Sequence, residues 1–122
     1  MELLIHGDCL NKLKNMNENS CDITFTSPPY NRKRNDKYAN YDDIIDVYFA
    51  FLSKSIDEML RVTKRHVFLN IQKNYYNKKD VFKIIGNYSE KITEIFIWEK
   101  SNPMPAPGNS ITNAYEFILV FG

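Results

Sequence analysis

The run Cys21-Asp22-Ile23-Thr24-Phe25-Thr26-Ser27-Pro28-Pro29-Tyr30-Asn31 decides the reading of the whole chain. Its first six residues are β-branched and aromatic enough to form a buried strand, and Pro28-Pro29 ends it, since proline cannot donate to a sheet ladder. The strand therefore delivers a stiff turn at its C-terminal end, and open α/β sheets bind ligands outside the carboxyl ends of their strands. The two prolines lack N–H donors and leave carbonyl oxygens that only accept hydrogen bonds, while Ser27 adds a hydroxyl and Tyr30 a flat ring. Such a turn suits a planar amine, whose two N–H groups meet the acceptors while its ring stacks on Tyr30. An ordinary proline-rich turn after a strand is the competing reading of the same residues.

Working outward, Leu3 to His6 reads as a short strand stopped by Gly7-Asp8, after which Leu10, Leu13 and Met16 recur at helical spacing. Ile44, Tyr48, Phe51, Leu52, Ser55, Ile56 and Met59 predict a longer amphipathic helix, with Asp42, Asp43 and Asp46 at its start and Arg61, Lys64 and Arg65 at its end. His66 to Ile71 reads as a strand, and Val81, Phe82, Ile84 and Ile85 as the core side of a helix closing near Gly86-Asn87. Ile92 to Trp98 and Tyr115 to Phe121 are the last strands, separated by Asn102-Pro103-Met104-Pro105-Ala106-Pro107-Gly108, which is too irregular for a crossover helix. These two strands are therefore expected to pair as an antiparallel, long-looped hairpin. Strands alternating with helices elsewhere predict an α/β fold with a mostly parallel sheet and right-handed crossovers.

Composition excludes several classes. At 122 residues, 43% hydrophobic and 25% charged, the chain fits one folded domain and no second core. Sixteen basic against fifteen acidic residues leave a net charge of +1, so a polyanionic partner has to be met locally. The local candidate is Arg32, Lys33, Arg34 and Lys37, directly after Tyr30, where a phosphate backbone passes if a base is to reach the turn; a solvated loop is the alternative. Cys9 and Cys21 have no CxxC spacing, and no basic leader or apolar run of about 18 residues is present, so a cytoplasmic protein without a membrane span is expected. His6 and His66 lack ligand spacing, and no metal is assigned.

Thr26-Ser27-Pro28-Pro29-Tyr30 resembles the catalytic signature of the DNA amino-methyltransferases, which methylate N4 of cytosine or N6 of adenine. Gly7-Asp8-Cys9-Leu10 and Ser20-Cys21-Asp22-Ile23 before it are similar to the opening of the permuted group, in which the catalytic half comes first. Met59-Leu60-Arg61-Val62, Phe96-Ile97-Trp98-Glu99-Lys100 and Thr112-Asn113-Ala114-Tyr115-Glu116 follow in that group's order. The resemblance implies a Rossmann-like S-adenosylmethionine-dependent methyltransferase fold acting on DNA, with Ser27, Pro28, Pro29 and Tyr30 as the catalytic turn. Ser27 and the Pro28 carbonyl would hold the target amine, Tyr30 would stack on the flipped base, and Asp8 would lie near the adenine end of the cofactor. Asp8 is equally readable as the cap of the helix that follows it. Serine at position 27 points to cytosine N4 first and adenine N6 second.

The four glycines, Gly7, Gly86, Gly108 and Gly122, provide no Gly-x-Gly turn for a cofactor. Residues 1–122 are thus expected to be the catalytic half alone, lacking the glycine-bearing cofactor subdomain and most of the target-recognition region. S-adenosylmethionine binding by the chain itself is expected to be weak or absent, with a second polypeptide supplying the remainder if the enzyme is split. A noncatalytic module that binds DNA or a partner and keeps the pocket is the reading from a different class.

Overall fold

The computed structural model describes residues 2–31, 47–101 and 114–122. The elements run α1 (Cys9–Lys14), β1 (Thr24–Thr26), α2 (Tyr48–Val62), β2 (Val67–Ile71), α3 (Lys78–Asn87), β3 (Ile92–Glu99) and β4 (Tyr115–Phe121). The four strands form one sheet in the order β1-β2-β4-β3. β1 pairs with β2 in parallel, and β4 is antiparallel to both β2 and β3.

The expectation of a mostly parallel sheet is corrected by these pairings, because only one neighbouring pair is parallel. The repeated strand-helix unit did set strand direction: β1, β2 and β3 all run the same way. It did not set adjacency. β4 enters between β2 and β3 and satisfies the facing ladder of each, which turns two neighbouring pairs antiparallel. β4 is apolar apart from Glu116, and Leu119, Val120 and Phe121 are buried, as suits a strand flanked on both edges. The expected antiparallel pairing of the last two strands is present from Ile92↔Phe121 to Glu99↔Tyr115. Residues 102–113 between them lie outside the described residues.

A second correction concerns Leu3 to His6, which is not a strand: Leu3, Leu4 and Ile5 are exposed and pair with nothing described. An apolar run becomes a strand only when a neighbour takes its backbone groups. β1 is itself an edge, and its Phe25 is 65% exposed.

α2 is the organising helix. Tyr48, Leu52, Ser55, Ile56, Met59 and Val62 are its buried residues, at the spacing that places them on one stripe. That stripe packs with Val67, Leu69 and Ile71 of β2, Val81 and Ile84 of α3, and Leu119 and Phe121 of β4. Each such apolar side chain contributes roughly 1.5–3 kcal/mol on burial, so the core is centred on β2 and β4 rather than on the sheet edges. Of the four residues expected on the core side of α3, Val81 and Ile84 are buried, Ile85 is half-buried and Phe82 is exposed. Ile44 and the three aspartates expected at the start of α2 fall outside the described residues.

Candidate functional site

The shared direction of β1, β2 and β3 gathers their carboxyl ends at one end of the sheet, and the antiparallel β4 begins there. Four segments therefore converge: Ser27 to Asn31 after β1, Asn70 near the end of β2, Lys100 just past β3, and Glu116 near the start of β4. At their centre is the Tyr30 hydroxyl. It lies 2.8 Å from Ser27 Oγ, 2.9 Å from Glu116 Oε1 and 3.2 Å from Asn70 Oδ1. Lys100 Nζ approaches the other carboxylate oxygen, Glu116 Oε2, at 2.9 Å. Asn70 donates from Nδ2 to the Phe117 carbonyl at 3.1 Å, which turns its amide oxygen toward Tyr30.

Glu116 is buried, with 5% of its surface exposed. Burial would raise its carboxyl pKa, but hydrogen bonds from Lys100 and Tyr30, the Lys100 charge and the Asn70 amide outweigh it, and the net direction is downward. The carboxylate is thus kept ionised in a place where it would otherwise be costly. Lys100 Nζ also sits 3.8 Å above the Trp98 ring.

The backbone of the turn is held as firmly as its hydroxyls. The Tyr30 carbonyl accepts from Asn74 Nδ2 at 2.9 Å and Asn77 Nδ2 at 2.8 Å. Those two asparagines brace each other, Asn74 N–H donating to Asn77 Oδ1 at 2.7 Å and Asn77 N–H to Asn74 Oδ1 at 3.0 Å. The Tyr48 hydroxyl, from the first turn of α2, donates to the Pro29 carbonyl. Asn31 is buried with φ +54°, a left-handed conformation that asparagine tolerates better than most residues. The Pro28 carbonyl takes no hydrogen bond from a described residue, and Ser27 is exposed.

The expected site residues are therefore distributed as follows. Ser27, Pro28, Pro29 and Tyr30 share one braced turn, with the half-buried Tyr30 packed against the core. Asp8 caps α1, its Oδ2 accepting from the Asn11 N–H at 3.0 Å. Arg32, Lys33, Arg34 and Lys37 lie outside the described residues. The sequence reading missed the roles of Asn70, Asn74, Asn77, Lys100 and Glu116. For Glu116 a signal existed, a lone acid inside the apolar run Tyr115 to Phe121. No group of three or more His, Cys, Asp or Glu that could hold a metal occurs among the described residues, and none of their helices is long and apolar enough to cross a membrane.

The chain is similar to known proteins in sequence and in fold. Residues 21–122 match the N6/N4 DNA methylase family. The chain belongs to that family. It is 28% identical to the type II methyltransferase M.HinfI of Haemophilus influenzae over 98% of its own length and 37% of the relative's. With the type II methyltransferase M.MwoI of Methanothermobacter wolfeii it shares 30% identity over 98% of its length and 20% of the relative's. Its fold superposes on the cytosine-N4-specific PvuII DNA methyltransferase with a TM-score of 0.67 at 18% identity, covering 94% of this chain and 46% of that one. The chain thus spans between 20% and 37% of the length of these two curated relatives.

Proposed function

We propose that residues 1–122 are the catalytic half of a DNA amino-methyltransferase that acts on the exocyclic amine of a flipped base, cytosine N4 in the first place. The observation that carries this reading is the braced turn, in which Ser27 is exposed and the Pro28 carbonyl takes no described partner while the backbone on either side is fixed. Two acceptors at a rigid strand end fit an amino group that has two protons to donate. Ser27 would orient the amine as nucleophile and would form no covalent bond to substrate. Arg32, Lys33, Arg34 and Lys37 follow the turn in sequence and are the proposed contacts to the DNA backbone.

Members of this family take the methyl group from S-adenosylmethionine, which supplies it on a sulfonium. Among the described residues no paired-glycine turn is present for that cofactor. Gly7 has φ +147°, and the end of the exposed Lys12 side chain lies beside it, Cε 2.5 Å from where a Cβ would be. Asp8 has one carboxylate oxygen committed to its helix, and no second glycine turn accompanies it. The cofactor is accordingly proposed to be held mainly by a segment beyond these residues.

Two measurements test the reading. Nucleoside analysis of DNA treated with an assembly containing this chain and a polypeptide carrying the glycine motif should show N4-methylcytosine. N6-methyladenine alone would move the target to adenine, and unmodified DNA that is still bound would favour the noncatalytic module. Calorimetric titration of the isolated chain with S-adenosylmethionine should give little or no heat of binding, and micromolar affinity would refute the half-site assignment.

A further inference from the structure

The geometry around Tyr30 carries an inference that rests on this functional reading and goes beyond it. The Tyr30 hydroxyl has one proton and, among the described residues, the oxygen neighbours Ser27 Oγ, Asn70 Oδ1 and Glu116 Oε1. Charge decides among them. A carboxylate is the strongest acceptor of the three, and Glu116 is nearer than Asn70, at 2.9 Å against 3.2 Å. With its proton given to Glu116, the Tyr30 oxygen can only accept from Ser27, so the Ser27 proton points inward. We propose that Glu116, anchored by Lys100, is a positioning residue that sets the direction of the chain Ser27 to Tyr30 to Glu116. Ser27 then turns lone pairs, not a proton, toward the incoming amine.

The arrangement makes Lys100 the arbiter of the direction. In Glu116→Gln the side chain has one acceptor and one donor end. The Lys100 ammonium, which can only donate, claims the amide oxygen and leaves the amide N–H facing Tyr30. Tyr30 then accepts from the glutamine and gives its proton to Ser27 Oγ at 2.8 Å, nearer than Asn70 Oδ1 at 3.2 Å, which reverses the chain and turns the Ser27 proton outward against an amine proton. Removing the ammonium as well, in Glu116→Gln with Lys100→Met, frees the amide to turn its oxygen back to Tyr30 and restores the original direction. A merely structural role for Glu116 predicts the opposite order, with the double variant worse than the single one.

The first arm uses the 122-residue chain alone. Among the described residues, the charged and titrating groups facing Glu116 are Tyr30 from the loop after β1 and Lys100 from the end of β3, with the neutral Asn70 on β2. The 13Cζ resonance of Tyr30, assigned by its loss in Tyr30→Phe, should shift in a single step below pH 4.5, and Glu116→Gln should abolish that step. Tyr88, which donates to Asp57 instead, is the internal control and should behave identically in both proteins. A Tyr30 resonance that stays flat through the acid range in the folded wild-type chain would overturn the proposal.

The second arm measures methyl transfer by the assembly. Glu116→Gln should lower kcat by about 100-fold with KM for DNA little changed, the scale seen when one preorganised hydrogen bond at a reacting centre is lost. Adding Lys100→Met to it should recover about tenfold of that loss. A double variant no faster than Glu116→Gln would refute the directional role. If no assembly transfers methyl groups, the functional reading fails, and the resonance of Tyr30 still tests whether Glu116 is the acceptor of its proton.

Discussion

Among the described residues, Tyr30 and Tyr88 each donate to a carboxylate, and they illustrate how the same pair of groups serves different ends. Tyr30 meets Glu116 at 2.9 Å where four segments converge, and the carboxylate is buried and shared with Lys100. Tyr88, just past α3, meets Asp57 of α2 at 2.6 Å, and Asp57 is exposed with no ion-pair partner among the described residues. In the first pair the environment acts on the acid, whose pKa falls because Lys100 and Tyr30 together outweigh burial. In the second it acts on the phenol, whose pKa is pushed up to about 12, first by burial and then by the Asp57 carboxylate. A buried anion with its own cation holds a fixed charge that can direct neighbours, whereas an exposed anion beside a half-buried phenol only keeps that phenol protonated. One pair orients a site, and the other pins two helices.

The sharpest way to break the comparison is to remove each carboxylate partner and measure stability. Glu116→Ala should cost about 2 kcal/mol in urea unfolding, since Tyr30 and Lys100 lose an ionised acceptor in a buried place. Lys100 is 29% exposed and can turn to water, which keeps the loss below that of a fully buried pair. The effect has a defined pH dependence. Because the folded pKa of Glu116 lies below its ordinary 4.5, its contribution is complete above that value and is lost as pH falls through the folded pKa. The gap between wild type and variant should therefore be constant near neutrality and close in acid, and a gap that widened in acid would contradict the assignment.

What was legible in the sequence divides along the same line. The turn Ser27 to Tyr30, α2 and the final hairpin were readable because proline chemistry and hydrophobic periodicity are local signals. Glu116 and Asn70 reach Tyr30 across 86 and 40 residues, and no local pattern states which polar side chains a sheet will bring together. Strand order failed for a related reason. A strand-helix repeat fixes direction, but whether β4 lies at an edge or between β2 and β3 depends on long-range pairing. Leu3 to His6 shows the converse error, an apolar run taken for a strand without a partner to complete its hydrogen bonds. Asp8 kept two readings open, and the structure shows the helix cap.

The smaller effect belongs to the second pair. Tyr88 packs its ring edge-on against Phe121 at 5.9 Å, and its hydroxyl faces both the Ser53 carbonyl at 3.1 Å and Asp57. Tyr88→Phe keeps the ring and removes only the hydroxyl, so the loss should be about 1 kcal/mol, the usual net value of one hydrogen bond. Asp57 is exposed and recovers its hydration, so no buried charge is stranded. Here the pH dependence has the opposite sign. A folded pKa raised from 10 to about 12 means that the contribution is complete below pH 10 and disappears as pH rises toward 12. Alkaline unfolding of wild type and Tyr88→Phe should thus converge across that window. If Tyr88→Phe instead matched Glu116→Ala in size, the contact between α2 and α3 would be as dependent on its carboxylate as the site is, and the distinction between the two pairs would fall.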